Sequence, residues 1–319
     1  MPDGPNRTNT TRGLRAYALR LCAATTVAAS LTACSATGTP HEARTPLVRA
    51  SAPIPGPEAP PRQNRGATLA RALRPLLPGG DTRLAVAVLD LDSANRQIAS
   101  YGKRARFETA SIIKVDILAT LLLQAADEDR ELTAAERRNA AEMIRSSDND
   151  ATNVLWREIG AAEGLDAANE RLGLSSTRGG PGIRWGLTRT TATDQVQLLR
   201  AVFARGPERF PRTRARLSRE SRAYIRSLMG RIDPDQDWGI SAAGSPGSRW
   251  ALKNGWLQRQ PTGLWIINSV GQVTVHGHRY LVSVLSDGNP TMERGISLVE
   301  RAARAAVGAA STHVRPWPL

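Results

Sequence analysis

Two side chains three residues apart, Ser111 and Lys114, form the first pair that could do chemistry. The apolar segment from Ser111 to Gln124 is predicted to be a buried helix, on which residues at i and i+3 share one face. An ammonium group in such a helix is costly to bury unless it has a partner or a lowered pKa. A desolvated lysine can take the proton of a neighbouring serine hydroxyl and make it a nucleophile. Alone, the pattern is weak evidence, because it occurs by chance in many chains.

Two further segments strengthen this interpretation. Ser147-Asp148-Asn149 begins 36 residues after Ser111, between two predicted helices, and Lys253-Asn254-Gly255 begins 106 residues after Ser147, in a predicted strand. The set S-x-x-K, S-D-N and K-x-G, in this order, resembles the signature of the serine β-lactamase and penicillin-binding protein superfamily, in its class A β-lactamase-like form. The resemblance extends over nearly the whole folded region.

The resemblance implies a role for each matching residue. Ser111 would attack a carbonyl group and form an acyl-enzyme, and Lys114 would assist the removal of its proton. Ser147 would pass a proton to the leaving nitrogen, while Lys253 would keep the site positive and attract a substrate carboxylate. Asn149 would hydrogen-bond the substrate amide or Lys114.

The resemblance also implies where the substrate would lie. The oxyanion would bind between the backbone N–H groups of Ser111 and Trp256, the residue that follows Lys-Asn-Gly. Asn254 and Gly255 would belong to the same substrate-binding strand. Asn254 stands where threonine or serine is usual in the family, so an amide replaces a hydroxyl group.

A second departure from the family pattern concerns deacylation. Class A β-lactamases carry a glutamate in an E-x-x-L-N loop that activates the deacylating water, and this sequence has no such motif. It has no carboxylate between Glu170 and Asp194, and Arg178 to Thr190 is predicted to be a shortened loop in its place. We do not expect Asp194 to replace the glutamate. Efficient β-lactamase activity by this route is therefore disfavoured.

The use of lysine supports the chemical interpretation independently. The chain has 43 Lys and Arg residues, and the only lysines are Lys103, Lys114 and Lys253. Two of the three stand at motif positions. Arginine stays protonated and cannot act as a base, whereas a buried lysine can lose its proton. We predict that Lys103 lies on the surface.

Composition excludes several other classes of protein. The 319 residues carry a net charge of +14, and 41% are hydrophobic, which is enough for a packed core. No apolar run approaches the roughly 20 residues of a membrane-spanning helix, so a multi-span membrane protein is excluded. The arginines are spread along the chain without interleaved aromatic residues, and we expect no nucleic-acid partner.

Metal and cofactor sites are also disfavoured. Cys22 and Cys34 are the only cysteines, and both lie near the N-terminus, which excludes thiolate metal sites from the body of the chain. His276-Gly277-His278 is predicted to lie on a strand with both imidazoles on one face. No carboxylate stands in a metalloprotease spacing around it, so a surface pair is the preferred interpretation. We expect no metal and no cofactor.

The N-terminus has the pattern of an export signal. Arginines precede the 13-residue apolar run Leu21 to Ala33, which is too short to span a membrane as a helix. Leu31-Thr32-Ala33-Cys34 resembles the lipobox of bacterial lipoproteins, in which the cysteine becomes the lipidated first residue; the alternative is an ordinary signal peptide. We therefore predict a signal peptide over 1–33, a proline-rich tether over 34–66 and a hydrolase domain over 67–319. The protein would be exported and lipid-anchored on the extracytoplasmic face of the cell membrane.

Periodicity predicts an α+β fold for the domain. The predicted strands lie at both ends of the domain: Leu84 to Leu91, Arg96 to Tyr101, Trp250 to Leu257, Thr262 to Val270 and Tyr280 to Leu285. The predicted helices are Leu69 to Leu77, Ser111 to Gln124, Thr133 to Ser146, Asp150 to Ile159, Thr193 to Arg205 and Met292 to Ala309. They predict an antiparallel sheet of about five strands, flanked by N- and C-terminal helices, together with an all-helical lobe.

Three functional hypotheses remain open at this point. The first is a monomeric serine hydrolase or acyltransferase that forms an acyl-enzyme on Ser111 with a β-lactam or a peptidoglycan peptide. The second is a lipoprotein that keeps the fold and the pocket but only binds or senses a ligand. The third is a cationic adhesin whose binding to anionic wall polymer would weaken strongly with salt.

Overall fold

The computed structural model describes residues 64–311, except 78, 95 and 205–216. Residues 1–63, with the predicted signal peptide, Cys34 and most of the predicted tether, lie outside the described residues. None of the helices in the described part of the chain has the length and apolar character that a bilayer crossing requires.

The described residues form seven strands and eight α-helices. The strands are β1 (Arg83–Asp90), β2 (Ala99–Tyr101), β3 (Phe107–Glu108), β4 (Arg189–Thr190), β5 (Trp250–Gln258), β6 (Trp265–Val275) and β7 (His278–Asn289). The helices are α1 (Arg65–Leu73), α2 (Ile113–Asp127), α3 (Ala134–Arg145), α4 (Asn149–Glu158), α5 (Ala161–Leu172), α6 (Ala192–Phe203), α7 (Arg219–Met229) and α8 (Met292–Ser311).

One five-stranded antiparallel sheet organises the fold. Its strand order is β2-β1-β7-β6-β5, and β3 and β4 form a separate two-stranded sheet. β1 pairs with β7 from Arg83 opposite Asp287 to Asp90 opposite Tyr280, so the two ends of the domain meet at the centre of the sheet. The predicted fold class is confirmed. β5 lies at the edge, and within the described residues it pairs only with β6.

Both faces of the sheet are covered by helices. On β1, Ala87 and Leu89 pack into the cluster that contains α2, whereas Val86 and Val88 pack into the cluster that contains α1 and α8. This alternation is the two-residue period of a strand that is buried on both faces. The sheet is therefore the middle layer between the terminal helices and the helical lobe.

The helix that carries the first motif is buried on nearly all sides, as predicted. In α2, 12 of the 15 residues are buried, including the two charged residues Lys114 and Asp116. The first turn differs from the prediction, because Ala110–Ile112 forms a 3₁₀ turn before the α-helix begins at Ile113. Ser111 thus lies in the turn that enters the helix.

Several helix and strand bounds are shifted, the short strands β3 and β4 were not predicted, and three further details of the predicted secondary structure were wrong or missing. His276-Gly277 is a turn between β6 and β7 with φ values of 47° and 81°, so the two histidines do not share a strand. Helix α5 was missed because its buried stripe, Leu165, Ala168, Asn169 and Leu172, includes a polar residue. Helix α7 was missed because only Ile225, Leu228 and Met229 of its 11 residues are buried.

A buried carboxyl group links α2 to α5. With its amide nitrogen turned toward Asp116, Asn169 donates to both carboxylate oxygens at 3.0 Å. Burial raises the pKa of Asp116 to about 8. Because this value lies far above that of the unfolded chain, the native state holds a proton that the unfolded state has lost, and stability decreases as the pH rises from about 4 to about 8.

We predict that Asp116→Asn stabilises the protein at alkaline pH. The gain should grow by up to about 1.4 kcal/mol per pH unit across this window, because the variant has no carboxyl group to ionise. Denaturant unfolding at pH 4.5, 6.5 and 8.5 measures it. Asp127→Asn, which removes the exposed partner of Arg171 on the same helix, is the control and should show no gain. A difference between Asp116→Asn and the unmodified protein that does not vary with pH would contradict the prediction.

Candidate active site

Ser111 lies in a turn that the surrounding backbone holds firmly. The N–H of Thr109 donates to the carbonyl of Thr188 at 2.9 Å, and the N–H of Ile112 donates back to the carbonyl of Thr109 at 3.3 Å. Ala110, the residue before the serine, has a φ of 46°, in the left-handed region that alanine rarely adopts. Such strain persists only where the neighbouring structure enforces it.

Two residues on the neighbouring strands β5 and β6 enforce the position of this turn. The side-chain nitrogen of Asn268, on β6, donates to the carbonyls of Glu108 and Thr109 at 2.9 and 3.0 Å. Gly255, opposite Asn268 on β5, lies so close that a Cβ there would come within 2.8 Å of the Ser111 nitrogen. The sequence analysis missed Asn268. Its one signal is a polar residue within the apolar run of β6.

The three motif segments meet at the hydroxyl group of Ser147. Lys114 Nζ donates to Ser147 Oγ at 3.1 Å, to the Ser147 carbonyl at 2.6 Å and to Asn149 Oδ1 at 2.9 Å. Lys253 Nζ donates to the same Oγ at 3.0 Å and to the carbonyl of Asn254 at 3.0 Å. The fold therefore brings together four residues that the sequence analysis proposed: Lys114, Ser147, Asn149 and Lys253. The two lysines lie 139 positions apart in the chain.

The connection between α3 and α4 places Ser147 at this point. Ser147 has a φ of 56°, and Asp148 is the N-cap of α4, where its carboxylate accepts the N–H of Ala151 at 2.7 Å. A side-chain oxygen at this position compensates an N–H group of the first turn that has no helical partner. The role of Asp148 is therefore to fix the geometry of Ser147 and Asn149.

Burial changes the acid–base properties of both lysines. Neither side chain is exposed to solvent. Burial lowers the pKa of Lys114 to about 7, and the carboxylate of Asp148 opposes this shift. Burial and the charge of Lys114 hold the pKa of Lys253 well below its usual range. Each lysine can therefore exist as the free amine near neutral pH, which is the requirement for a base.

Asn254 points away from the lysines. Its amide nitrogen donates to the carbonyls of Gln236 and Trp238 at 2.8 and 2.9 Å, so it holds the chain segment before β5. A single hydroxyl group could donate to only one of these carbonyls. This geometry does not support the substrate contact expected of Asn254. The indole of Trp256 packs edge-on against Trp238, with ring centroids 6.0 Å apart.

The loop before β4 contributes a residue that the sequence analysis missed. Backbone hydrogen bonds in both directions between Arg178 and Arg189 close the loop. Within it, Trp185 places its ring 4.8 Å from Lys114 Nζ, and its indole N–H donates to Asn153 Oδ1 at 2.9 Å. A tryptophan side chain thus contacts the amine of the first motif.

Asp194, the nearest carboxylate after this loop in sequence, is engaged elsewhere. It lies in the first turn of α6 and accepts hydrogen bonds from the Ser176 N–H at 2.8 Å and the Thr177 hydroxyl at 2.9 Å. These bonds fix the chain between α5 and the loop.

One group within the described residues has suitable atoms for a metal ion, and it lies outside the lysine site. It consists of Asp90, Asp92 and His278. Asp92 is already paired with Arg279, and Asp90 accepts the N–H groups of Asp92 and Ser93. These contacts give both carboxylates a structural role.

We predict that Gly255→Ala destabilises the protein by about 1–3 kcal/mol, because the added methyl group forces the turn of Ser111 away from β5. Gly308→Ala is the matched control, since nothing lies within 4 Å of its added Cβ. In α8 it should stabilise the helix by about 0.5–1 kcal/mol. Guanidinium unfolding of both variants measures these changes. Equal stability of Gly255→Ala and the unmodified protein would show that the backbone of β5 at Gly255 does not pack tightly against the turn of Ser111.

Comparison with known proteins agrees with this arrangement. A family model described as the "Beta-lactamase enzyme family" matches residues 136–310. The proteins named "Putative lipoprotein LppW" from Mycobacterium bovis and Mycobacterium tuberculosis are 28% identical over 151 residues, or 47% of this chain and 48% of theirs. The chain therefore spans about half the length of the curated relatives it matches.

Solved structures show the same fold. The TLA-3 extended-spectrum β-lactamase superposes with a TM-score of 0.66 at 14% identity, covering 77% of this chain and 99% of that one. The L158E mutant of PBP-A, an acyl-enzyme complex with penicillin G, superposes with a TM-score of 0.62 at 21% identity, covering 77% and 97%. Because the family model matches more than half of the residues of this chain, the chain belongs to the β-lactamase enzyme family.

Proposed function

We propose that the protein is a serine hydrolase or acyltransferase that forms an acyl-enzyme on Ser111 with a β-lactam or a cell-wall peptide. The observation that carries this proposal is the hydroxyl of Ser147, which accepts hydrogen bonds from two buried lysines. One of these lysines lies one helical turn after Ser111. Two amines with lowered pKa values beside one hydroxyl form a path for protons, and a site built only for packing has no need of one.

The acylation step uses each of these groups once. The free amine of Lys114 takes the proton of Ser111 Oγ, which attacks the carbonyl carbon and forms the new C–O bond. The C–N bond of the lactam or peptide then breaks. The leaving nitrogen takes the proton of Ser147 Oγ, and Ser147 regains a proton from a neighbouring ammonium group.

The charge of the site favours an anionic substrate. Among the described residues, neither Lys114 nor Lys253 forms an ion pair with a carboxylate. In its ammonium form, either lysine attracts a carboxylate such as the one that β-lactams and cell-wall peptides carry. The oxyanion would bind the N–H groups of Ser111 and Trp256, and the closeness of β5 to the Ser111 nitrogen at Gly255 supports this position.

The loop before β4 favours slow hydrolysis of the acyl-enzyme. It contributes Trp185 beside Lys114, and no residue from Arg171 to Thr193 carries a carboxylate that could activate a water molecule. Slow acylation by β-lactams or a peptidase-like reaction is therefore favoured over efficient β-lactamase activity.

A second function, ligand binding without turnover, is favoured by one feature. Lys114 donates three hydrogen bonds to Ser147 and Asn149, and within the described residues it donates none to Ser111. A protein that only senses its ligand could keep this geometry.

The proposed location follows from the N-terminal sequence. The lipobox-like segment ending at Cys34, and a relative named as a lipoprotein, support export and a lipid anchor on the extracytoplasmic face of the membrane. We propose a monomer with no nucleic-acid partner.

We predict that incubation with a panel of penicillins gives a persistent covalent adduct, visible as an added intact mass. Ser111→Ala should abolish the adduct. Lys114→Ala should slow its formation at least about 10²-fold, because a general base is lost. Ser146→Ala and Lys103→Ala are the controls, and both should react like the unmodified protein.

The same samples separate the alternatives when loss of the antibiotic is also assayed. Consumption of the drug without an adduct would indicate a true β-lactamase that activates water differently. An intact drug and an unchanged mass, repeated with cell-wall peptides, would favour the binding function.

We predict that the rate of acylation rises with pH and levels off above about pH 8. The pKa of Lys114 is lowered to about 7, so the fraction of free amine increases through neutral pH. Adduct formation measured at intervals from about pH 5.5 to about pH 8.5 tests this. Lys114→Ala should lose the dependence, and a flat profile for the unmodified protein would exclude Lys114 as the base.

A further inference from the structure

Lys114 lacks the partner that a buried ammonium group usually has. Its three donors are used on neutral oxygens, and the nearest like charge, Lys253, donates to the same hydroxyl group. Among the charged groups around it, Asp148 acts from the N-terminus of α4 but gives its carboxylate to the N–H of Ala151. Asp116, two residues further along α2, pairs with Asn169 instead. A further source of negative potential would therefore be favourable.

The face of Trp185 is such a source. The ring centroid lies 4.8 Å from Lys114 Nζ, within the range of a cation–π contact. An aromatic face carries partial negative charge, and indole gives the strongest such contact, which increases when water is excluded. The hydrogen bond from the indole N–H to Asn153 fixes the ring in this orientation.

The position of Trp185 is itself well determined. It begins the 3₁₀ turn Trp185–Leu187, which is tied to the nucleophile segment because Thr188 accepts the Thr109 N–H. The Gly180 N–H donates to the hydroxyl group of Thr188 at 3.0 Å, which braces the loop from inside. The ring therefore belongs to the same rigid unit as the turn of Ser111.

We propose that Trp185 is a positioning residue whose indole face stabilises the ammonium form of Lys114 in place of a carboxylate. The ring holds the positive charge but has no lone pair with which to take a proton from water. The catalytic consequence of this contact rests on the proposed function. Lys114 would be able to gain and release a proton, while no base beside it promotes hydrolysis of the acyl-enzyme.

The chain offers a direct measurement, because it contains only three lysines. Selective ¹³C,¹⁵N-lysine labelling of the protein gives three side-chain signals whose shifts report the three pKa values. Lys103→Arg removes the signal of the exposed lysine, and Lys114→Ala removes the signal of Lys114, so each of the three signals is assigned.

Trp185→Leu should lower the pKa of Lys114 by about one pH unit, since the negative face is lost while the site stays apolar. Trp185→Phe keeps an aromatic face but loses the N–H to Asn153, and it should leave the pKa much closer to that of the unmodified protein. Trp185→Met, which fills the space with a flexible apolar chain, should behave like Trp185→Leu. Circular dichroism establishes that each variant is folded.

Three results would overturn the role of Trp185. The first is an unchanged or raised pKa in the folded Leu and Met variants. The second is an equal shift in the Phe variant, which would assign the effect to the hydrogen bond with Asn153. The third is unfolding of all three variants, which would make Trp185 a structural residue. The titration needs no substrate, so failure to form an adduct with penicillins would contradict the proposed function without altering this result.

Discussion

Two ammonium groups that are buried side by side, and that share one hydroxyl acceptor, impose the constraint on which the rest of the site depends. A charge removed from water needs hydrogen-bond acceptors or it becomes neutral. Here the acceptors are neutral oxygens of Ser147, Asn149 and Asn254. Their geometry explains why Ser147 keeps a φ of 56° despite its strain. Burial lowers the pKa values of both lysines despite the opposing charges of Asp148 at Lys114 and Asp233 at Lys253, and this makes the free amine accessible as a base.

The edge strand β5 and the buried helix α2 hold these charged groups in place. β5 pairs with β6 along one edge, and its other edge contacts the turn of Ser111. Gly255 permits the close approach, and Asn268 binds the carbonyls that precede the turn. The charged side of the site therefore rests on β5 and α2, whose positions are fixed by cores on both faces of the sheet.

The loop before β4 places the aromatic ring of Trp185 beside Lys114. An aromatic face and a carboxylate both stabilise a neighbouring ammonium group, but only the carboxylate can also accept a proton from water. Under the proposed function, a site with Trp185 beside Lys114 would form an acyl bond and would hydrolyse it slowly. This distinction separates the acylating function proposed for this chain from an efficient β-lactamase.

The sequence by itself determined the order of the motif segments, the buried character of α2 and the α+β class, because these depend on local spacing and periodicity. Ser111, Lys114, Ser147 and Lys253 were identifiable from the three motif segments, and the rarity of lysine in a chain that otherwise uses arginine supported the two lysines. Only the tertiary structure decided the rest. Trp185 and Asn268 gain their importance from partners 71 and 159 residues away, which no local pattern records. Asn254 fits the motif in sequence, yet alternation along β5 turns its amide to the face opposite Lys253, where two carbonyl groups require it.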